Sequence, residues 1–207
     1  MFQYIRTILF SILMIITSNF DVHGQSHNEY EIYSAIINNK GINWTNKNTI
    51  LVIRNVKLDD DSREFLEELN SDPNLVLSLS YFDNESVNKY LHDQNYQDAI
   101  LGLLKTSTQK IKTKSFVDPT FNLKSISKRK FNSFFKRDID KGWNQINKKY
   151  QSNRVIEFSE VSFLGNYAAV YYAYYCGGLC GSGQLLVLEK KESANWVVIS
   201  TVNLWMS

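Results

Sequence analysis

Sulfur, imidazole and proline are all scarce in this chain, and each scarcity removes a class of function. Among 207 residues there are two cysteines, Cys176 and Cys180, and three histidines, of which only His92 lies in the body of the chain. Structural zinc sites draw three or four nitrogen or sulfur ligands together, often through C-x-x-C or paired histidines. No such set is present, so neither a metal nor a cofactor is expected. The two prolines, Pro73 and Pro119, stand far apart, and there is no proline-rich linker, internal repeat or low-complexity run. No apolar stretch approaches the roughly 20 residues that cross a bilayer as a helix; the run at 8–16 (ILFSILMII) is about half that.

Familiar catalytic signatures are missing too. The glycine-rich turn at 177–183 lacks the Lys-Ser/Thr ending of a phosphate loop and precedes a strand rather than a helix. Asp59, Asp60 and Asp61 lack the spacing and the glycine of a calcium loop. Glu157 and Glu160 have opposite strand parity, which argues against a facing carboxylate pair of the kind glycosidases use. A nucleophilic thiol needs a base, and His92 or a carboxylate would have to supply it.

What is present begins with an export signal. Arg6 gives a positive start, residues 8–16 an apolar centre, and Val22-His23-Gly24 a small-residue cleavage site before Gln25. No cysteine stands near that site, which excludes lipidation there. Residues 1–24 are therefore expected to be removed, leaving 25–207 as one domain in the periplasm or outside the cell, with no membrane span. Export also makes the surroundings of the cysteines oxidising.

The stretch 167–191 (YAAVYYAYYCGGLCGSGQLLVLEKK) reads as two strands joined by a glycine-rich turn. Tyr167, Tyr171 and Tyr175 fall on one face at period two, with Val170, Tyr172, Tyr174 and Cys176 on the other. Tyr171, Tyr172, Tyr174 and Tyr175 are candidates for lining a ligand pocket, although tyrosines in strands are more often half-buried sheet residues with hydroxyls at the rim. Cys176 and Cys180 are candidates for a short disulfide across the loop; the alternative is a buried Cys176 and a free Cys180 thiol.

Elsewhere, helical spacing marks 28–39, a segment after Asp61 with Phe65, Leu66 and Leu69, two pieces within 85–104, and a helix capped by Ser127 that presents Phe131, Phe134 and Phe135. A further helix carries Ile139, Trp143, Ile146 and Tyr150 as its apolar stripe. Residues 49–58 read as a buried strand, 75–82 as either strand or helix, and 116–123 as irregular or an edge strand. Residues 155–164, the hairpin and 196–205 make four successive strands. The expected fold is α+β, with N-terminal helices packed on one face of a mainly antiparallel sheet that ends in a four-strand meander.

Charge is segregated. Residues 29–104 carry a balance of −7, residues 105–154 of +11, and residues 155–207 of −2. The basic block, with Lys128, Arg129, Lys130, Lys136, Arg137, Lys148 and Lys149, suggests polyanion binding through 124–149. Its aromatics follow core periodicity, however, so solvated helix faces are the plainer reading, and no nucleic-acid partner is favoured.

Several segments together carry a resemblance: EYEIYSAIIN at 29–38, ILVIRNV at 50–56, GWNQINKKYQSNRVIEFSEVSF at 142–163, CGGLCGSGQLLVLEKK at 176–191 and the closing LWMS. This combination resembles an uncharacterised family of exported bacterial proteins with a C-terminal C-G-G-L-[CA]-G hairpin. The likeness covers the start of the mature chain and its last third well and 57–115 poorly. Gln151 stands where a proline is usual in the family, and Glu160 where an arginine is usual. The resemblance implies a secreted single-domain protein and no particular activity. Together these readings predict an exported, non-catalytic interaction or small-ligand-binding domain whose partner is unknown. The alternative is an enzyme that uses Cys176 or Cys180 with His92.

Overall fold

A computed structural model describes residues 25–39, 49–54, 56–58, 60–72, 93–106, 110–116, 121–193 and 195–207. His92 and the ambiguous stretch 75–82 lie outside the described residues. The helices are α1 (Gln25–Asn39), α2 (Asp60–Ser71), α3 (Gln94–Leu101), α4 (Lys128–Phe134) and α5 (Ile139–Tyr150). The strands are β1 (Thr49–Arg54), β2 (Asn122–Ser127), β3 (Val155–Phe158), β4 (Ser162–Leu164), β5 (Tyr167–Gly177), β6 (Cys180–Lys190) and β7 (Trp196–Met206).

The fold is α+β. One seven-stranded sheet runs β2-β1-β3-β5-β6-β7, with β4 paired to β5 on the same side as β3. Strands β5, β6 and β7 form the antiparallel meander expected from alternation and turn chemistry. The first strand of that expected meander is broken. β3 pairs with Tyr172–Tyr175 and β4 with Tyr167–Ala169, leaving Ser159, Glu160 and Val161 between them.

The cause of the break is visible in its hydrogen bonds. The Ser159 hydroxyl accepts from the Tyr171 amide at 2.9 Å, and the Ser159 amide donates to the Tyr171 carbonyl at 3.0 Å. The Ser159 carbonyl accepts from the Tyr33 hydroxyl of α1 at 2.8 Å. Glu29, also on α1, accepts from the Val161 amide at 3.3 Å. A buried backbone excursion needs such partners, because unpaired polar groups away from water are costly.

β1 departs from the antiparallel expectation. It pairs parallel with β2 over Thr49–Arg54 and parallel with β3 through Leu51 and Val52. Such neighbours require long crossovers; α4 and α5 provide the one from β2 to β3, passing β1 by.

The helices occupy both sheet faces, which corrects the expectation of one. Tyr33, Ile36 and Ile37 of α1 pack with Ile50, Val52, Ile156, Phe158, Val170 and Tyr172. Tyr33 stacks on Phe158 with ring centroids 4.7 Å apart. On the opposite face, α2 and α3 lay Leu66, Leu69, Tyr96 and Ile100 against Tyr171, Ala173 and Leu185. Beside them Phe131 of α4 and Ile146 of α5 cover Leu51, Ile53 and Val155.

The cap expected at Ser127 is in place, whereas Asp61 lies within the first turn of α2 rather than ahead of it. Ser127 accepts from the Lys130 amide at 3.2 Å to start α4, and Asp138 from the Lys141 amide at 2.8 Å to start α5. Asp93 caps α3 through the Asn95 amide, while its second oxygen accepts from Tyr167 of the sheet at 2.8 Å. Ile139, read as the head of the apolar stripe on α5, is half exposed at the first helical position and takes no part in the core.

Candidate functional site

Alternation along β5 sends its tyrosines to different places. Tyr171 and Tyr175 face the α2–α5 side, Tyr172 and Tyr174 the α1 side. Tyr171 and Tyr172 are buried, and Tyr174 and Tyr175 are half-buried, so the four do not line one pocket.

Burial pushes the Tyr172 phenol well above its ordinary value of 10.0, with the neighbouring Tyr174 adding to the rise. Burial also raises Tyr174, opposed by the charge and hydrogen bond of Arg154. The unfolded chain releases the Tyr172 proton near pH 10 while the folded chain keeps it, so stability falls as pH climbs above 10. The expected slope is about 1.4 kcal/mol per pH unit for this group alone. Urea unfolding at stepwise higher pH should show a shallower decline for Tyr172→Phe; identical slopes in the two proteins would refute this assignment.

At the hairpin tip Cys176 and Cys180 are joined as a disulfide with their Cα atoms 5.1 Å apart. Neither sulfur is then a free thiolate, the form a nucleophile requires. So short a closed loop stabilises by roughly 2 kcal/mol at most on chain-entropy grounds, and the bond holds the tip rather than the domain. Leu179 stands exposed at the turn, and Gly178 lies beside Ile139 and Asp140 at the start of α5.

Two members of the basic block are half-buried, Arg154, which bonds Tyr174, and Lys128. The Lys128 ammonium forms an ion pair with Glu157, whose side chain is only 4% exposed, and lies 5.7 Å from the Tyr175 ring centroid. Glu157 is thus engaged from α4 and not by Glu160, which follows the strand break. Arg129, Lys130, Lys136, Arg137, Lys141, Lys148 and Lys149 are exposed, as expected of solvated helix faces.

A groove of about 380 Å³ lies between α2 and the end of β7. Trp205, Val202 and Leu204 come from β7 and Phe65 from α2, with Asp61 and Glu68 of α2 beside them. Both carboxylates are on exposed residues, whereas Trp205 is half-buried.

The indole is held on three sides. Its Nε1–H donates to the Tyr171 hydroxyl at 3.1 Å, its ring lies 5.6 Å from that of Tyr175, and Gly183 of β6 approaches it closely. An aromatic surface fixed in this way offers contact area without first losing side-chain freedom. Anionic groups beside it favour a cationic ligand.

Sequence reasoning did not find this site. Trp205 read as the end of a strand and Asp61 as a helix start; strand parity sets Trp205 on the face opposite Val202, and the bulge at Leu204 that brings them together has no signal in the sequence. Among the described residues no group of three or more His, Cys, Asp or Glu side chains is placed to hold a metal ion, and no helix is long and apolar enough to cross a membrane. Compared with known proteins, the chain matches no family model, no curated protein and no solved structure.

Proposed function

We propose that this chain is an exported, non-catalytic binding domain, and that it takes a ligand combining an apolar body with a positive charge in the groove between α2 and β7. The observation that carries the reading is the fixed Trp205 indole, with Phe65 and Leu204 beside it and Asp61 and Glu68 on the adjoining helix. Export draws on the signal-like segment at 1–24 and on the resemblance of the CGGLCG hairpin to an exported family. The disulfide at the tip is in keeping with an oxidising compartment.

Phenethylamine tests the groove, with 3-phenylpropionate as its anionic counterpart. The amine is expected to change tryptophan emission saturably, and the carboxylate to do so at least tenfold more weakly, a difference of about 1.4 kcal/mol. Trp205→Phe should abolish the response, and Asp61→Asn with Glu68→Gln should weaken it. An unaltered response in Trp205→Phe, or no response to either compound, would remove the groove from consideration. Intact mass of the protein recovered from the cell envelope checks export separately: it should begin at Gln25.

A further inference from the structure

We propose that β7 accepts an extended, lysine- or arginine-bearing segment of another protein as an added strand, with its cationic side chains reaching Asp61 and Glu68. This rests on the reading of the α2–β7 groove as a ligand site and specifies the class of partner.

The first support is the character of the edge itself. β7 ends the sheet, and among the described residues it pairs with β6 alone. It is eleven residues long, WVVISTVNLWM, with no charge and no proline. Edge strands present unpaired amides and carbonyls, and proteins ordinarily blunt them by shortness, lysine, proline, an inward charge, a bulge or a covering helix. The opposite edge is managed in that way: β2 has six residues, carries Lys124, and runs straight into α4. Val197 and Met206 are exposed large apolar residues on β7; bulges at Ile199 and Leu204 interrupt its ladder with β6, which leaves Ser200–Asn203 as the regular stretch open to pairing, and no charge or proline stands in it.

The second support is charge. The groove runs along Val202–Met206, so a strand laid beside β7 brings alternate side chains towards α2. Ladder hydrogen bonds then supply affinity, and the groove supplies selectivity. Asp61 and Glu68 call for cations. A second copy of this chain pairing through its own β7 would bring none, since β7 contains no lysine or arginine.

The test uses the intact protein and short synthetic peptides: one alternating valine with lysine, one alternating valine with glutamate, and the lysine peptide N-methylated on alternate amides in both phases. The lysine peptide is expected to bind by calorimetry and to slow hydrogen exchange of β7 amides. The glutamate peptide and one of the two methylated phases should each bind at least tenfold more weakly, about 1.4 kcal/mol. Asp61→Asn with Glu68→Gln should weaken only the lysine peptide. If both methylated phases bind as well as the parent, or if phenethylamine binds and the lysine peptide does not, strand addition is overturned while the groove reading stands. If neither phenethylamine nor any peptide binds, both fall. A dimer of the free protein that already protects the β7 amides would assign the edge to a second copy and overturn the proposal.

Discussion

Gly183→Ala is expected to unseat Trp205 and lower the melting temperature by roughly 6–12 °C. A Cβ at Gly183 would lie 2.0 Å from the indole Nε1 and 2.4 Å from Cε2. Nothing flexible is available to yield, because the near atoms belong to a flat ring that also packs against Tyr175. Overpacking of this kind costs about 1–3 kcal/mol. Loss of the indole bond to the buried Tyr171 hydroxyl adds about 1 kcal/mol. A total near 3 kcal/mol corresponds to the stated shift for a domain of this size. The same change should erase the phenethylamine response, since the floor of the groove moves. Calorimetry on Gly183→Ala, Trp205→Ala and the double variant checks the account. With the indole gone, the added methyl should be nearly neutral, and strictly additive losses would show that the two residues do not oppose each other.

Lys128→Met is expected to be far more damaging than Glu157→Gln, although both break the same ion pair. Removing the lysine leaves a carboxylate that is only 4% exposed in mid-sheet without its counter-charge. Removing one partner of a fully buried pair costs about 3–5 kcal/mol. The Lys128 side chain is 43% exposed, so water shares the site, and roughly 2 kcal/mol is the more fitting figure. Glu157→Gln instead frees a lysine that solvent can reach, at a cost of roughly 1 kcal/mol or less. Adding Glu157→Gln to Lys128→Met should recover most of the loss. Equal destabilisation by the two single variants in urea titrations, or no recovery in the double, would contradict this.

Elements set by local chemistry were legible in advance. The β5–β6 hairpin follows from period-two alternation around four glycines, and α5 from Trp143 and Ile146 at helical spacing. Ser127 announced α4 because a serine before a helix has one dominant use. What stayed hidden depends on partners distant in sequence. Helical periodicity says which side of α1 is apolar but not which face of the sheet receives it. The run 155–164 looks continuous because the break at Ser159 is maintained by Tyr33, 126 positions earlier. Glu157 looked like an ordinary strand carboxylate until Lys128 was placed over it. The groove was invisible for the same reason, since Asp61 and Trp205 come from opposite ends of the chain.

The parallel placement of β1 has a consequence for the order in which the molecule assembles. Thr49–Arg54 is flanked by strands made some 70 and 100 positions later, so its ladder cannot close until the carboxyl-terminal half exists. The β5–β6–β7 ribbon closes only short loops and carries a much smaller entropic barrier. In pulse-labelled refolding, amides of β5 and β6 should therefore be protected before those of β1, and the reverse order would exclude this sequence of events. In a chain exported as proposed above, the first half, which waits for the last, stays unfolded longest where a translocation channel meets it first.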